Sequence, residues 1–124
     1  SKILDDHLTY SDNIPQFDIV ILGLGDDGHT ASIFPDQIDL WNSNENCIVA
    51  THSESGMKRV TVTGKIINNA HTVVFLVTGD NKAEKVKEVI QYREEFFNKY
   101  PAARVNPKSG ELFWFVDESA GRLL

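Results

Sequence analysis

The chain has 124 residues, a formal net charge of −6, and 41% apolar against 24% charged residues, a length and mixture that suit one globular domain with a real core. The acidic balance argues against nucleic acid or an anionic membrane as the main partner, yet leaves room for a small anion held by a local cluster of donors. Cys47 is the only cysteine, which excludes an internal disulfide and suits a reducing, cytoplasmic setting, and no stretch reads as a signal peptide or a membrane span.

Residues 1–16 are polar and mixed. Ile3, Leu4 and Leu8 offer a short helical face that Asn13 and Pro15 would end, and a flexible lead-in is the equal alternative. The run from Phe17 to Leu22, FDIVIL, is short, apolar and rich in β-branched residues, as expected of a strand buried on both faces of a parallel sheet. Gly23, Gly25 and Gly28 follow, interleaved with Asp26 and Asp27, and then come His29, Thr30 and Ser32. One helical turn is expected over Thr30–Phe34 before Pro35.

Leu40 and Trp41 sit in an expected loop, and Cys47–Thr51 reads as a second strand with its thiol buried. Lys58-Arg59-Val60-Thr61-Val62 is strand-like, and Gly64–Ala70 a short helix with Ile66 and Ile67 inward. Thr72–Thr78, TVVFLVT, predicts a central strand. A long helix is expected over Asn81–Asn98, where Ala83, Val86, Val89, Ile90 and Phe97 recur near helical spacing, with Asp80 as its N-cap. Residues 102–107 read as an extended connection, Leu112–Val116 as the last strand, and Asp117–Leu124 as a closing helix capped by Asp117. Strands alternating with helices give an α/β class with a mainly parallel, open, Rossmann-like sheet and flanking helices.

Ligands of such sheets bind beyond the carboxyl ends of the strands, which puts the Gly23–Ser32 loop at the mouth of a site. His29 is the leading candidate for chemistry there, since an imidazole accepts a proton near neutral pH, and Asp27 is placed to orient it. Gly23, Gly25 and Gly28 satisfy G-x-G-x-x-G, but Asp26 and Asp27 would oppose a pyrophosphate, Pro35 would cut the helix short, and no acid near Ile48 offers a ribose contact.

Lys82 stands in the first turn of its expected helix, where a cation opposes the macrodipole unless an anion binds there too. Arg59 reads either as a solvated strand charge or as a bidentate phosphate donor. A metal site drawn from Asp26, Asp27, His29 and His52 has no recognised ligand spacing. Ser32 lies outside any nucleophile elbow, and His7 and His71 have no evident partner.

The stretch Gly23-Leu24-Gly25-Asp26-Asp27-Gly28-His29-Thr30-Ala31-Ser32-Ile33-Phe34-Pro35 closely resembles the signature of the 6-phosphogluconolactonases. Arg59–Thr63, Gly79–Ala83, Pro101–Val105 and Leu112–Asp117 agree in order, so the resemblance spans residues 17–124 as one α/β domain behind a lead-in of residues 1–16. It implies hydrolysis of 6-phosphogluconolactone, a step of the pentose phosphate pathway, with neither metal nor organic cofactor. It implies His29 as general base, Asp27 orienting His29 or a ring hydroxyl, and Arg59 and Lys82 as the basic residues on the phosphate side.

Glucosamine-6-phosphate deaminases belong to the same superfamily and resemble this chain too, but they carry Glu immediately before the motif's proline, where Phe34 stands here. A non-catalytic sugar-phosphate-binding fragment is the alternative from another class. Nothing before Phe17 resembles the family's amino-terminal phosphate loop, so the resemblance implies the carboxyl-terminal portion of the domain, with an exposed sheet edge that invites self-association.

Overall fold

A computed structural model describes residues 2–124. Helix α1 (Lys2–His7) leads into a hairpin of β1 (Thr9–Ser11) and β2 (Ile14–Gln16), turned by Asp12 and Asn13 in left-handed conformations. This lead-in is tied to the body of the chain. Asn69 Nδ2 donates to the carbonyls of Ser11, Ile14 and Pro15, while Gln16 Nε2 donates 2.9 Å to the Asn69 carbonyl.

The centre is a parallel sheet of β3 (Ile19–Leu22), β6 (Thr72–Val77) and β7 (Glu111–Val116), in the order β3-β6-β7. Its buried face carries Leu22, Val73, Phe75 and Val77, with the Phe75 and Trp114 rings stacked at 4.0 Å between centroids. Against it pack Val86 and Val89 of α3 (Ala83–Gln91), which turn one apolar stripe to the sheet. The other face is bare. Ile19, Ile21, Leu76, Phe113 and Phe115 alternate with the buried set and lie exposed, Ile21 at 68%. The outer edge of β3 has no strand partner among the described residues.

The strand over Cys47–Thr51 lies outside the parallel sheet. As β4 it pairs antiparallel with β5 (Lys58–Val62) in a separate hairpin, with Ala50 opposite Arg59. The loop between these strands is six residues, short enough for antiparallel return and too short for a parallel crossover. Cys47 is half-buried rather than enclosed. The expected loop carrying Leu40 and Trp41 is a 3₁₀ segment, Pro35–Asn42, and Trp41 is buried over Gly64 of α2 (Gly64–Ile67).

Three expected helices differ. Thr30–Phe34 is a tight turn, with Ala31 at φ +51° and the Ile33 N–H donating to the Thr30 carbonyl. The long helix breaks at Tyr92 (φ −122°, ψ 33°) into α3 and α4 (Arg93–Phe96). The break swings Phe96 onto Tyr100, their rings stacked at 4.9 Å, and lets Arg93 Nε donate to the Ala103 carbonyl, so tertiary contacts outweigh helical continuity. The segment after Asp117 makes turns instead of a helix, although its carboxylate does accept the Ala120 N–H. Residues 102–107, expected to be extended, begin within a 3₁₀ turn, Pro101–Arg104.

Candidate active site

The loops after β3 and after β6 both leave the carboxyl ends of adjacent parallel strands, so the glycine-rich stretch and the Gly79–Lys82 turn meet at one end of the sheet. Thr30 Oγ1 donates 2.8 Å back to the Gly23 carbonyl, and the Gly25 N–H donates 2.9 Å to the His29 carbonyl, closing the first loop on itself. The Ser32 N–H donates 3.1 Å to Thr61 Oγ1, which fastens the loop to β5.

Two glycines are sterically required here. A Cβ on Gly25 would stand 2.1 Å from His29 Nδ1 and 2.8 Å from Asp27 Oδ1. Gly28 has φ +87° and lies under Tyr100, 2.4 Å from where a Cβ would meet its ring. Gly23 faces open space, and its part is the carbonyl that Thr30 holds.

Asp27 Oδ1 accepts both the His29 backbone N–H (3.0 Å) and the His29 ring at Nδ1 (2.6 Å). Partial burial pushes the Asp27 carboxyl up, but the hydrogen bonds and charge of His29 outweigh it and hold the group below its usual value. An ionised carboxylate only accepts, so Nδ1 carries the hydrogen and a neutral His29 ring keeps its lone pair on Nε2. No described residue bonds that Nε2. Phe34 rests against the ring at 4.6 Å between centroids.

His29 is shared by two depressions. One, of about 190 Å³, runs past Asp26, Asp27 and Phe34 to His52, Ser53 and Glu54. The other, of about 340 Å³, is lined by the Gly23–Gly25 backbone, Ala31 and Lys82. Lys82 precedes α3, where Asp80 was expected to cap; Asp80 pairs instead with Arg122, and the capping position falls to Lys82, without a side-chain cap. Lys82 Nζ donates 2.8 Å to the Leu24 carbonyl and lies 2.8 Å from Asp26 Oδ1, which Asn81 Nδ2 also bonds at 3.1 Å.

His29, Asp27 and Lys82 thus converge. Arg59 lines neither depression; it is exposed on β5, on the same face as Thr61. His52, noted in the sequence only as a metal ligand, is brought to the wall of the smaller cavity. No group of three or more His, Cys, Asp or Glu among the described residues could hold a metal ion. No helix among them is long and apolar enough to cross a membrane.

A family model described as glucosamine-6-phosphate isomerases/6-phosphogluconolactonase matches residues 1–114. The 6-phosphogluconolactonase of Homo sapiens is 48% identical over 116 residues, which are 91% of this chain and 43% of that protein. Among solved structures, the devB protein superposes with a TM-score of 0.89 at 36% identity, covering 98% of this chain and 50% of the other. The 6-phosphogluconolactonase of Trypanosoma brucei superposes with a TM-score of 0.81 at 31% identity, covering 99% and 50%. The chain spans about half the length of the relatives it matches.

Proposed function

The chain belongs to the glucosamine-6-phosphate isomerase/6-phosphogluconolactonase family, and from that premise we propose that it supplies the general-base side of a 6-phosphogluconolactonase. The observation that carries the reading is the 2.6 Å contact from His29 Nδ1 to the Asp27 carboxylate, which leaves Nε2 open at the mouth of two cavities.

In the proposed reaction His29 Nε2 takes a proton from water as the water oxygen bonds to the lactone carbonyl carbon. The carbonyl electron pair moves onto its oxygen, and Asp27 steadies the imidazolium and holds the ring's orientation. When the carbonyl re-forms, the bond to the ring oxygen breaks. That oxygen takes the proton from Nε2 and becomes the free hydroxyl of 6-phosphogluconate. Lys82 is the phosphate anchor, and Arg59 the second cation of the clamp. The anion preference at Lys82 is supported by the Asp26 carboxylate, which lies 2.8 Å from its ammonium. Arg59 is supported by its place on the face of β5 whose Thr61 holds the catalytic loop.

The proposal extends to the setting and partners. The partner is a phosphorylated sugar lactone, with no nucleic acid involved, and the setting is cytoplasmic. Copies of the chain associate through the bare edge of β3. The proposed organisation is a lead-in of residues 1–16 and one domain over residues 17–124.

The test is lactone hydrolysis by the 124-residue chain, corrected for spontaneous opening, beside binding of 6-phosphogluconate. His29→Ala is expected to abolish turnover and keep binding, whereas Lys82→Ala weakens binding of phosphorylated ligands. Turnover unchanged by His29→Ala would remove the base assignment. Binding without turnover in the unsubstituted chain would favour the non-catalytic reading.

A further inference from the structure

We infer that His52 is a specificity residue of the smaller cavity, where its Nε2–H donates a hydrogen bond to a sugar hydroxyl. This inference rests on the lactonase reading above. His52 lies at the end of β4, and its backbone is pinned by its own N–H donating 2.8 Å to the Met57 carbonyl and its carbonyl accepting the Gly56 N–H at 2.9 Å.

The Ser55 backbone N–H donates 3.1 Å to His52 Nδ1. A nitrogen that accepts cannot carry the hydrogen, so a neutral His52 ring bears it on Nε2. The Ser55 hydroxyl lies 3.0 Å from the same Nδ1 and accepts the Met57 N–H, so its own hydrogen is free for that nitrogen. His29 is in the opposite tautomer, because its Nδ1 faces a carboxylate. The two imidazoles flank one phenylalanine. Phe34 is 4.6 Å from the His29 ring and 5.1 Å, edge-on, from the His52 ring. One wall of the cavity therefore offers a lone pair, and the other offers an N–H.

The rest of that cavity decides what this N–H meets. Asp26, Asp27 and Glu54 line it, and no lysine or arginine does. Asp26 and Asp27 are paired with Lys82 and His29, and the lining has no cation for a phosphate, whose place is beside Lys82 in the other depression. Hydroxyl groups suit the smaller cavity because each both donates and accepts. A carboxylate takes the hydroxyl hydrogen, and the His52 N–H satisfies the oxygen. Phe34, itself buried, spaces the two imidazoles across that cavity.

The experiment compares the parent chain with His52→Phe and His52→Gln, titrated with 6-phosphogluconate and separately with inorganic phosphate. Phenylalanine keeps a ring against Phe34 and removes the donor; glutamine keeps an N–H at the Nε2 reach. The expected result is a five- to tenfold loss of 6-phosphogluconate affinity in His52→Phe, about what one neutral hydrogen bond is worth. His52→Gln recovers most of it, and inorganic phosphate binds all three alike. In parallel, imidazole ¹⁵N spectra of the parent chain should show His52 protonated on Nε2 and moved by 6-phosphogluconate. Unchanged affinity in His52→Phe, equal losses for both ligands, or His52 protonated on Nδ1 would each overturn the assignment. A parent chain that binds neither ligand would overturn the lactonase reading and this inference with it, whereas binding with His52 unmoved would overturn the inference alone.

Discussion

At the scale of single residues, the site depends on an absent methyl group. Gly25 has no Cβ where the His29 ring lies against the loop, and a Cβ would sit 2.1 Å from Nδ1. Gly25→Ala must therefore push the imidazole off Asp27. A catalytic group displaced by about 1 Å can cost about a hundredfold in rate. We expect turnover to fall by about that factor while the far-ultraviolet circular dichroism stays that of the parent. Undiminished turnover would show that the pair tolerates displacement.

Asp27 gives a pH signature. Its carboxyl is held below the usual value in the folded chain, so the unfolded chain binds a proton first as pH falls. The stabilisation is complete above the unfolded value, near 4, and is lost as pH falls through the lower folded value. Asp27→Asn lacks this linkage. The stability gap between parent and variant in urea should be constant near neutrality and close below about pH 4; a gap that persists there would contradict it.

Much of this was legible in the sequence, because a histidine after a glycine-rich turn needs only a nearby acid, and Asp27 is two residues away. His52 was less legible. Its signal was a histidine at a strand's carboxyl end, and what gives it a fixed tautomer is a backbone N–H three residues on.

At the scale of elements, the glycine-rich loop is held by a neighbour distant in sequence. Thr61 is buried on β5, and its hydroxyl accepts the Ser32 N–H. Thr61→Val keeps the shape and removes the acceptor, leaving that N–H unpaired at a cost of about 1–3 kcal/mol. Thermal unfolding should drop by several degrees, and amide exchange at Ser32 should quicken. Unchanged exchange at Ser32 would mean that the loop does not need the hairpin.

The three strands of the parallel sheet were readable as apolar, β-branched runs, but the burial on both faces expected of Phe17–Leu22 is not found, since Ile19 and Ile21 lie exposed. The pairing of β4 with β5 was not, since an isolated strand signal carries no partner. The break at Tyr92 also escaped, because helical periodicity runs through it, and what accompanies the break is the Arg93 hydrogen bond to the Ala103 carbonyl and the stacking of Phe96 on Tyr100.

At the scale of the whole molecule, the α/β class followed from the order of strands and helices, and the parallel sheet bears it out. Helical and strand patterns do not state which sheet face is covered, and one face here is open. With the free edge of β3, it supports the expected self-association. Sedimentation should show association that rises through the micromolar range and is suppressed in Ile19→Lys/Ile21→Lys. A monomer throughout would remove that proposal.

The open face has a calorimetric consequence as well. Heat capacity rises on unfolding because apolar surface becomes hydrated, and a chain of 124 residues would ordinarily gain about 1.5–1.9 kcal/mol/K. Ile19, Ile21, Leu76, Phe113 and Phe115 are already wet in the folded monomer, so they add little to that gain. The monomer should unfold with a smaller heat-capacity step and a shallower dependence on denaturant than its length suggests, as a shorter protein would.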